Sequence, residues 1–200
     1  MSNVRLAVIY YSTYGTNHTI AQEVLKAAKE AGAEVRLRRA AETAPDEVVN
    51  QQDAWREQLE ATKHIPEATP DDLVWSNAYL FSSPTRYGGA SSQVRAFIDS
   101  LGPIWQEGKL ANKAASAITS AGNTHGGQET TLWTLYTTFA HWGAIIVPTG
   151  YTDDSIFASG GNPYGTSITA AEGAGVTDEK VAAIHHQTKR LVEVAGKLAG

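Results

Sequence analysis

The sequence predicts an α/β domain organised on a doubly wound, five-stranded parallel sheet. Three observations carry that reading. Apolar runs of strand length alternate with stretches at helical spacing along all 200 residues. The first run, residues 4–10, is apolar on both faces, as a strand covered on both sides must be. The turns after the first, third and fourth strands are rich in glycine and small hydroxyl residues, and doubly wound sheets bind ligands beyond the carboxyl ends of their strands.

In chain order, Val4, Leu6, Val8 and Tyr10 share one face of the first strand, and Ala7 and Ile9 share the other. Ile20, Ala21, Val24, Leu25 and Ala28 then recur at helical spacing, predicting a helix over 18–31 that stops at Gly32. Residues 34–39 read as a second strand, completing a βαβ unit with a right-handed crossover. Pro45, Pro66 and Pro70 break the next stretch, where Val48, Trp55 and Leu59 predict one helix over 46–62 and Pro70 opens a short helical turn. Strands follow at 78–83, 114–119 and 144–147, with helices at 91–101 and 129–141 between them. Residues 148–175 read as a long Gly-rich loop, and a last helix starts at Thr177. The whole chain, 1–200, forms one domain with an acidic, partly helical insertion at about 42–72.

The formal net charge is −5, but nine of the 21 acidic residues and only two of the 16 basic ones lie within 42–72. The rest of the surface need not repel an anionic cofactor. No basic run suits nucleic acid, and no apolar run is long enough to span a membrane. Cys is absent, which excludes disulfide and thiol chemistry. There is no H-x-x-x-H spacing, and the adjacent His185 and His186 point to different sides of a helix, so no metal site is expected. No G-x-S-x-G elbow supports a serine hydrolase. The chain enters its first strand without a charged-then-apolar leader, and the default expectation is a cytoplasmic address.

The stretch Tyr10-Tyr11-Ser12-Thr13-Tyr14-Gly15-Thr16-Asn17 joins the first strand to the first helix. That order aims free N–H groups past the strand end, and Ser12, Thr13, Thr16 and Asn17 add side-chain donors around the same point. Phosphate is held this way, although a plain helix cap by Ser12 or Thr16 fits the same residues. The third-strand turn supplies Arg86, the Tyr87 ring and the bare backbone of Gly88 and Gly89. The fourth supplies Ser120, glycines and His125. Flat backbone bordered by Tyr14, Tyr87, Trp105 and Tyr151 suits a phosphorylated flavin. Taken singly, Arg86 reads as a surface ion pair, Tyr87 and Trp105 as rim packing, and His141 as a surface residue at a helix C-terminus.

Five segments together carry a family resemblance: Tyr10-Tyr11-Ser12-x-Tyr14-Gly15; Pro84-Thr85-Arg86-Tyr87-Gly88; Gly126-Gly127-Gln128-Glu129; His141-x-Gly143-x-Ile145-Ile146-Val147-Pro148-x-Gly150-Tyr151; and Gly161-x-Pro163-Tyr164-Gly165. They resemble the WrbA-type NAD(P)H:quinone oxidoreductases, flavodoxin-like FMN proteins, over residues 4–198. The resemblance implies the flavodoxin strand order 2-1-3-4-5, FMN at the strand ends and a homotetramer. It implies that Ser12, Thr13, Tyr14, Gly15, Thr16 and Asn17 bind the FMN phosphate. Pro84, Thr85, Arg86, Tyr87 and Gly88 would border the ring system and ribityl chain, as would Ser120, Ala121, Gly122, Asn123, Thr124, His125 and Gly126. His141 matches a flavin-reaching position, across a subunit boundary, and is the candidate catalytic donor. Tyr14 matches a nicotinamide-contacting position and Trp105 a quinone-contacting one. Two departures stand out. Tyr87 replaces the family's usual Phe, and the loop at 120–129 is one residue longer than the family's Ser-Thr-Gly-Thr-Gly-Gly-Gly-Gln-Glu.

The activity this implies is two-electron transfer from NADH or NADPH to a quinone through FMN, with ping-pong kinetics and limited semiquinone formation. Two other classes remain. One is a flavodoxin-type electron carrier, which would present an acidic face at the flavin edge, whereas 42–72 is expected to lie away from the flavin loops. The other is a regulatory scaffold that binds FMN for stability alone.

Overall fold

β1 (Arg5–Tyr10) is buried from Leu6 onward, as its two apolar faces require. It pairs in parallel with β2 (Glu34–Arg39) on one side and β3 (Ala78–Arg86) on the other. In the computed structural model, which describes residues 4–170 and 175–199, the sheet path runs β2-β1-β3-β5-β6, with β5 at Ala114–Ala121 and β6 at Ile145–Ile146. Setting aside the two-residue β4 (Gly89–Ala90), this is the expected order 2-1-3-4-5.

Between these strands run α1 (Thr16–Glu30), α2 (Asp46–Val49), α3 (Asp53–Thr62) and α4 (Pro70–Trp75). Next come α5 (Ser92–Asp99), α6 (Gly102–Gln106), α7 (Gln128–His141) and α8 (Asp154–Ala158). β7 (Ser167–Thr169) and α9 (Asp178–Ala199) complete the chain. Leu6, Val8 and Tyr10 pack with Ile20, Val24, Ile184 and Leu191 beneath α1 and α9. Ala7, Ile9, Tyr79 and Phe81 pack with Val94, Leu132, Leu135 and Phe139 beneath α5 and α7. The sheet is therefore covered on both faces, and the period-2 apolar pattern of β1 serves two separate cores.

Three expectations are revised. The helix expected over 46–62 is two helices, because Val49 turns into the core while the Trp55 indole reaches Glu42 Oε2 (2.9 Å), and Gln52 between them is extended. The stretch 148–175 is not one loop: the described part holds α8 and β7. The fifth strand is consequently split, with β6 pairing Ala114–Ala115 and β7 pairing residues 119–121 of the same strand. Finally, β3 continues to Arg86 and turns back through β4.

Candidate functional site

The first turn of α1 opens on a cavity of about 210 Å³ at the carboxyl ends of β1, β3 and β5. Ser12, Thr13, Tyr14, Thr16, Asn17, Pro84, Thr85, Arg86, Ser120, Ala121, Gly122 and Ala170 line it. The three loops singled out in the sequence thus converge. Gly15 precedes α1 in the left-handed region (φ 99°), and no side chain caps the helix. Thr19 is the first residue of that turn to return its N–H to the backbone, at Gly15 O (2.9 Å). The first-turn N–H groups of α1 therefore stand uncapped beside the cavity, with the positive end of the helix dipole behind them. Ser12 does not cap the helix; its Oγ accepts the Gly15 N–H (3.0 Å) and keeps its own proton to donate. A Cβ at residue 15 would be strained and would sit 3.1 Å from Gln58 Oε1, so glycine is required there. Uncapped amides, hydroxyls and a dipole are a fitting donor set for the phosphate of a cofactor such as FMN.

The fold adds a cation that the β1–α1 stretch lacks. Nη2 of Arg86 donates to Thr13 Oγ1 (2.9 Å) and Nη1 donates to Thr85 O (3.0 Å). Arg86 is exposed and makes no ion pair among the described residues, so the surface-ion-pair reading fails for it.

Asn17 departs from expectation. Its side chain is almost wholly buried, donating to Ser120 Oγ (2.7 Å) and accepting from Ser82 Oγ (3.0 Å). It braces α1 against β3 and β5, because two buried serine hydroxyls need a partner that both donates and accepts. Thr85 is likewise engaged. Its hydroxyl donates to Gly126 O (3.1 Å) and receives the Gly88 N–H (3.3 Å) and the Thr131 hydroxyl (2.8 Å). Thr85 thereby locks the β3 turn to the β5 loop. The two loops touch backbone to backbone, since a Cβ on Gly127 would lie 2.8 Å from Gly88 Cα.

Tyr87 (φ 51°) and Gly88 (φ 81°) both adopt positive φ between the paired Arg86 and Gly89. That is the signature of a tight I′ hairpin, which throws the Tyr87 ring fully into solvent. Positive φ is uncommon for a tyrosine and marks a position held by its surroundings. Asn123, Thr124 and His125 form the exposed tip of the β5 loop, where Asn123 O accepts from Gly126 N–H (3.1 Å) and Gln128 Nε2 (3.0 Å).

His141 and Trp105 are not brought to this cavity. α7 starts at the cavity edge and runs its 14 residues to the opposite edge of the sheet, placing His141 about 20 Å away at 1.5 Å per residue. There Trp105 Nε1 donates to His141 O (3.1 Å), beside a 400 Å³ groove lined by Trp133, Tyr136, Thr137, Ala140, His141 and Ile146.

The acidic insertion, expected away from the cofactor loops, lies against them. The Tyr14 hydroxyl donates to Gln52 Oε1, and Trp55 and Ala44 line a second cleft of about 520 Å³ that shares Thr13, Tyr14 and Arg86 with the first. The reason is topological: β2 neighbours β1, so a chain leaving the carboxyl end of β2 emerges beside the β1 loop. Glu42, bonded to Trp55 and Gln93 of this cleft, is a further residue here that carries no signal in the sequence. Its carboxylate collects Tyr11 Oη (2.7 Å), Trp55 Nε1 (2.9 Å) and Gln93 Nε2 (2.6 Å). No local pattern signals a hub built from four distant segments. No group of three His, Cys, Asp or Glu side chains converges as a metal site among the described residues.

Comparison with known proteins gives three kinds of likeness. Residues 4–156 match the family model described as NADPH-dependent FMN reductase. A Deinococcus radiodurans protein named NAD(P)H dehydrogenase (quinone) is 57% identical over 197 residues, covering 98% of each chain. One of the same name from Geotalea daltonii is 38% identical over 204 residues, again covering 98% of each. A solved structure described as a flavodoxin, WrbA-like protein from Agrobacterium tumefaciens superposes with a TM-score of 0.69 at 20% identity, covering 98% of this chain and 99% of that one. That last likeness establishes the flavodoxin-like fold, and no helix described here is long and apolar enough to cross a membrane.

Proposed function

The chain belongs to the NADPH-dependent FMN reductase family, and from that premise we propose that it is an FMN-dependent NAD(P)H:quinone oxidoreductase. The observation that carries the proposal is the uncapped N-terminus of α1 opening on the cavity where all three strand-end loops meet. The relatives that match this chain end to end, named NAD(P)H dehydrogenase (quinone), support the activity. When bound, FMN supplies the redox chemistry, taking two electrons from a reduced nicotinamide and passing both to a quinone.

The protein's own part is to bind, orient and exclude. The first-turn amides of α1, with the hydroxyls of Ser12 and Thr16, hold the phosphate. Arg86 adds positive charge over Thr13. Tyr14, tethered by Gln52, presents a ring to the nicotinamide. Nicotinamide and quinone would use the same place beside Tyr14 in turn, which predicts ping-pong kinetics, and hydride transfer would move the two electrons together and limit release of a one-electron-reduced quinone. His141 and Trp105 lie too far away to serve the cavity of their own chain. They serve that of a second copy in a homotetramer, where His141 donates a hydrogen bond and Trp105 borders the quinone.

One observation favours the electron-carrier reading: the acidic insertion flanks the cofactor loops, where a carrier would dock a basic partner. A single experiment separates the two. Under anaerobic conditions the FMN-loaded protein receives NADH or NADPH, and then benzoquinone. Bleaching of the yellow absorbance and its recovery on adding quinone is the expected result. Flavin that stays yellow with both nucleotides would sink the enzyme in favour of the carrier.

A further inference from the structure

Glu42 follows β2 and lies outside the phosphate cradle, yet its carboxylate accepts from five donors in four parts of the chain. Oε2 takes Tyr11 Oη at the end of β1 (2.7 Å) and Trp55 Nε1 in α3 (2.9 Å). Oε1 takes Gln93 Nε2 in α5 (2.6 Å) and the N–H groups of Thr43 and Ala44 (2.9 Å each). All five donors are neutral, and Glu42 makes no ion pair among the described residues. An ionised carboxylate, with no proton of its own, is the side chain that can accept on both oxygens at once. The donors outweigh the upward push of burial and hold its carboxyl below the usual glutamate range.

The groups gathered here form one wall of the 520 Å³ cleft beside the phosphate cavity: Thr43, Ala44, Trp55 and Gln93 line it, facing Tyr14 and Tyr87. Trp55 lies in the first turn of α3, and the residue preceding α3 is Gln52, which receives the Tyr14 hydroxyl. A continuous path therefore runs from Glu42 through Trp55 and Gln52 to Tyr14. We propose that Glu42 is the positioning residue of this cleft: without touching substrate, it fixes the insertion as a wall and sets Tyr14 for the pyridine dinucleotide. The inference rests on the proposed role of NAD(P)H as donor at Tyr14.

The test compares wild type, Glu42→Gln and the milder Trp55→Phe, which removes one donor and keeps a ring. In Glu42→Gln one oxygen becomes an NH₂ group that faces donors. The expected result is a KM for NADH or NADPH raised about tenfold with kcat nearly unchanged, as lost uniform binding predicts. FMN affinity, read by flavin fluorescence, stays within about twofold. Trp55→Phe raises KM by a smaller factor. In the flavin-free protein, amide exchange over 43–62 quickens in Glu42→Gln while that of β1 and α1 does not. A purely structural role would quicken exchange throughout and leave KM alone. Unchanged KM, or unchanged exchange over 43–62, overturns the proposal. If neither nucleotide reduces the wild type, the functional reading fails instead, and the exchange measurement still decides whether Glu42 holds the wall.

Discussion

Nη2 of Arg86 donates to Thr13 Oγ1 across 2.9 Å, joining the hairpin after β3 to the loop after β1. Arg86 makes no ion pair among the described residues, so its charge is available to an anion in the cavity it lines. Arg86→Gln removes that charge and the better half of the tie. A hydrogen bond to a charged group contributes about 1.5–3 kcal/mol, which corresponds to an FMN dissociation constant roughly 10- to 150-fold higher. Fluorescence titration of the flavin-free protein reads this directly, and the loss should shrink at high salt. Equal affinity in wild type and variant would remove Arg86 from the cofactor site.

Thr16 stands at the first position of α1, where no side chain caps the helix. Thr16→Glu places a carboxylate among the amides meant for phosphate. The variant should fold and purify with little or no flavin, because like charge and occupied donors both oppose the anion. The 450 nm absorbance per protein, measured after purification, tests it. A fully yellow variant would refute the phosphate assignment.

Asn17 should behave in the opposite way. Its side chain ties Ser82 to Ser120 in the interior, so Asn17→Ala leaves two buried hydroxyls without that partner. At about 1–3 kcal/mol for each stranded polar group, the loss is roughly 2–6 kcal/mol, or a Tm lower by about 4–24 °C for a chain of this size. The drop should appear in flavin-free protein as much as in flavin-loaded protein. A drop confined to the loaded form would make Asn17 a ligand-binding residue and not a brace.

Two carboxylates make stability sensitive to acid. Burial pushes Glu42 upward, but the Ala44 N–H, Gln93, Tyr11 and Trp55 more than offset it and leave it below its ordinary 4.5. Asp72 is likewise pushed up by burial and pulled below 3.8 by Thr69 and Arg38. A carboxyl depressed in the folded state contributes stability above its unfolded value and loses it as pH falls through the folded one. The urea midpoint should begin to fall below about pH 6.5, because burial, with His64 nearby, holds His18 below its ordinary 6.5. It should fall further once pH drops below about 4.5, where Glu42→Gln should show the shallower loss. Identical acid limbs in the two proteins would count against the network around Glu42.

The first βαβ unit was legible almost to the residue, because β1 is apolar on both faces and α1 carries a strong helical stripe. The convergence of three loops followed from topology alone, once the strand order was in hand. What escaped was whatever depends on partners distant in sequence. Asn17 reads as a loop donor until Ser82 and Ser120 are seen on either side of it. The Tyr87 turn escaped because a Tyr-Gly pair carries none of the usual hairpin signal. The split fifth strand escaped because segments of two and three residues are too short to show a period. The insertion was misplaced because its position depends on β2 lying beside β1 and on Glu42, the residue that docks it, which looks like any other surface acid.

The division of the outermost strand into β6 and β7 has a consequence for how copies of this chain can meet. An unbroken, flat outer strand is a ready template for another chain's backbone and a route to open-ended stacking. Here that border is two short pieces, and residues 147–166 leave the sheet between them. At the other border, β2 is partly covered where Arg39 N–H donates to Pro66 O and Arg39 O accepts from Ala68 N–H. Among the described residues, then, one border is broken between β6 and β7 and the other is blocked at Arg39, so neither is an unbroken template along which a second copy could extend the sheet.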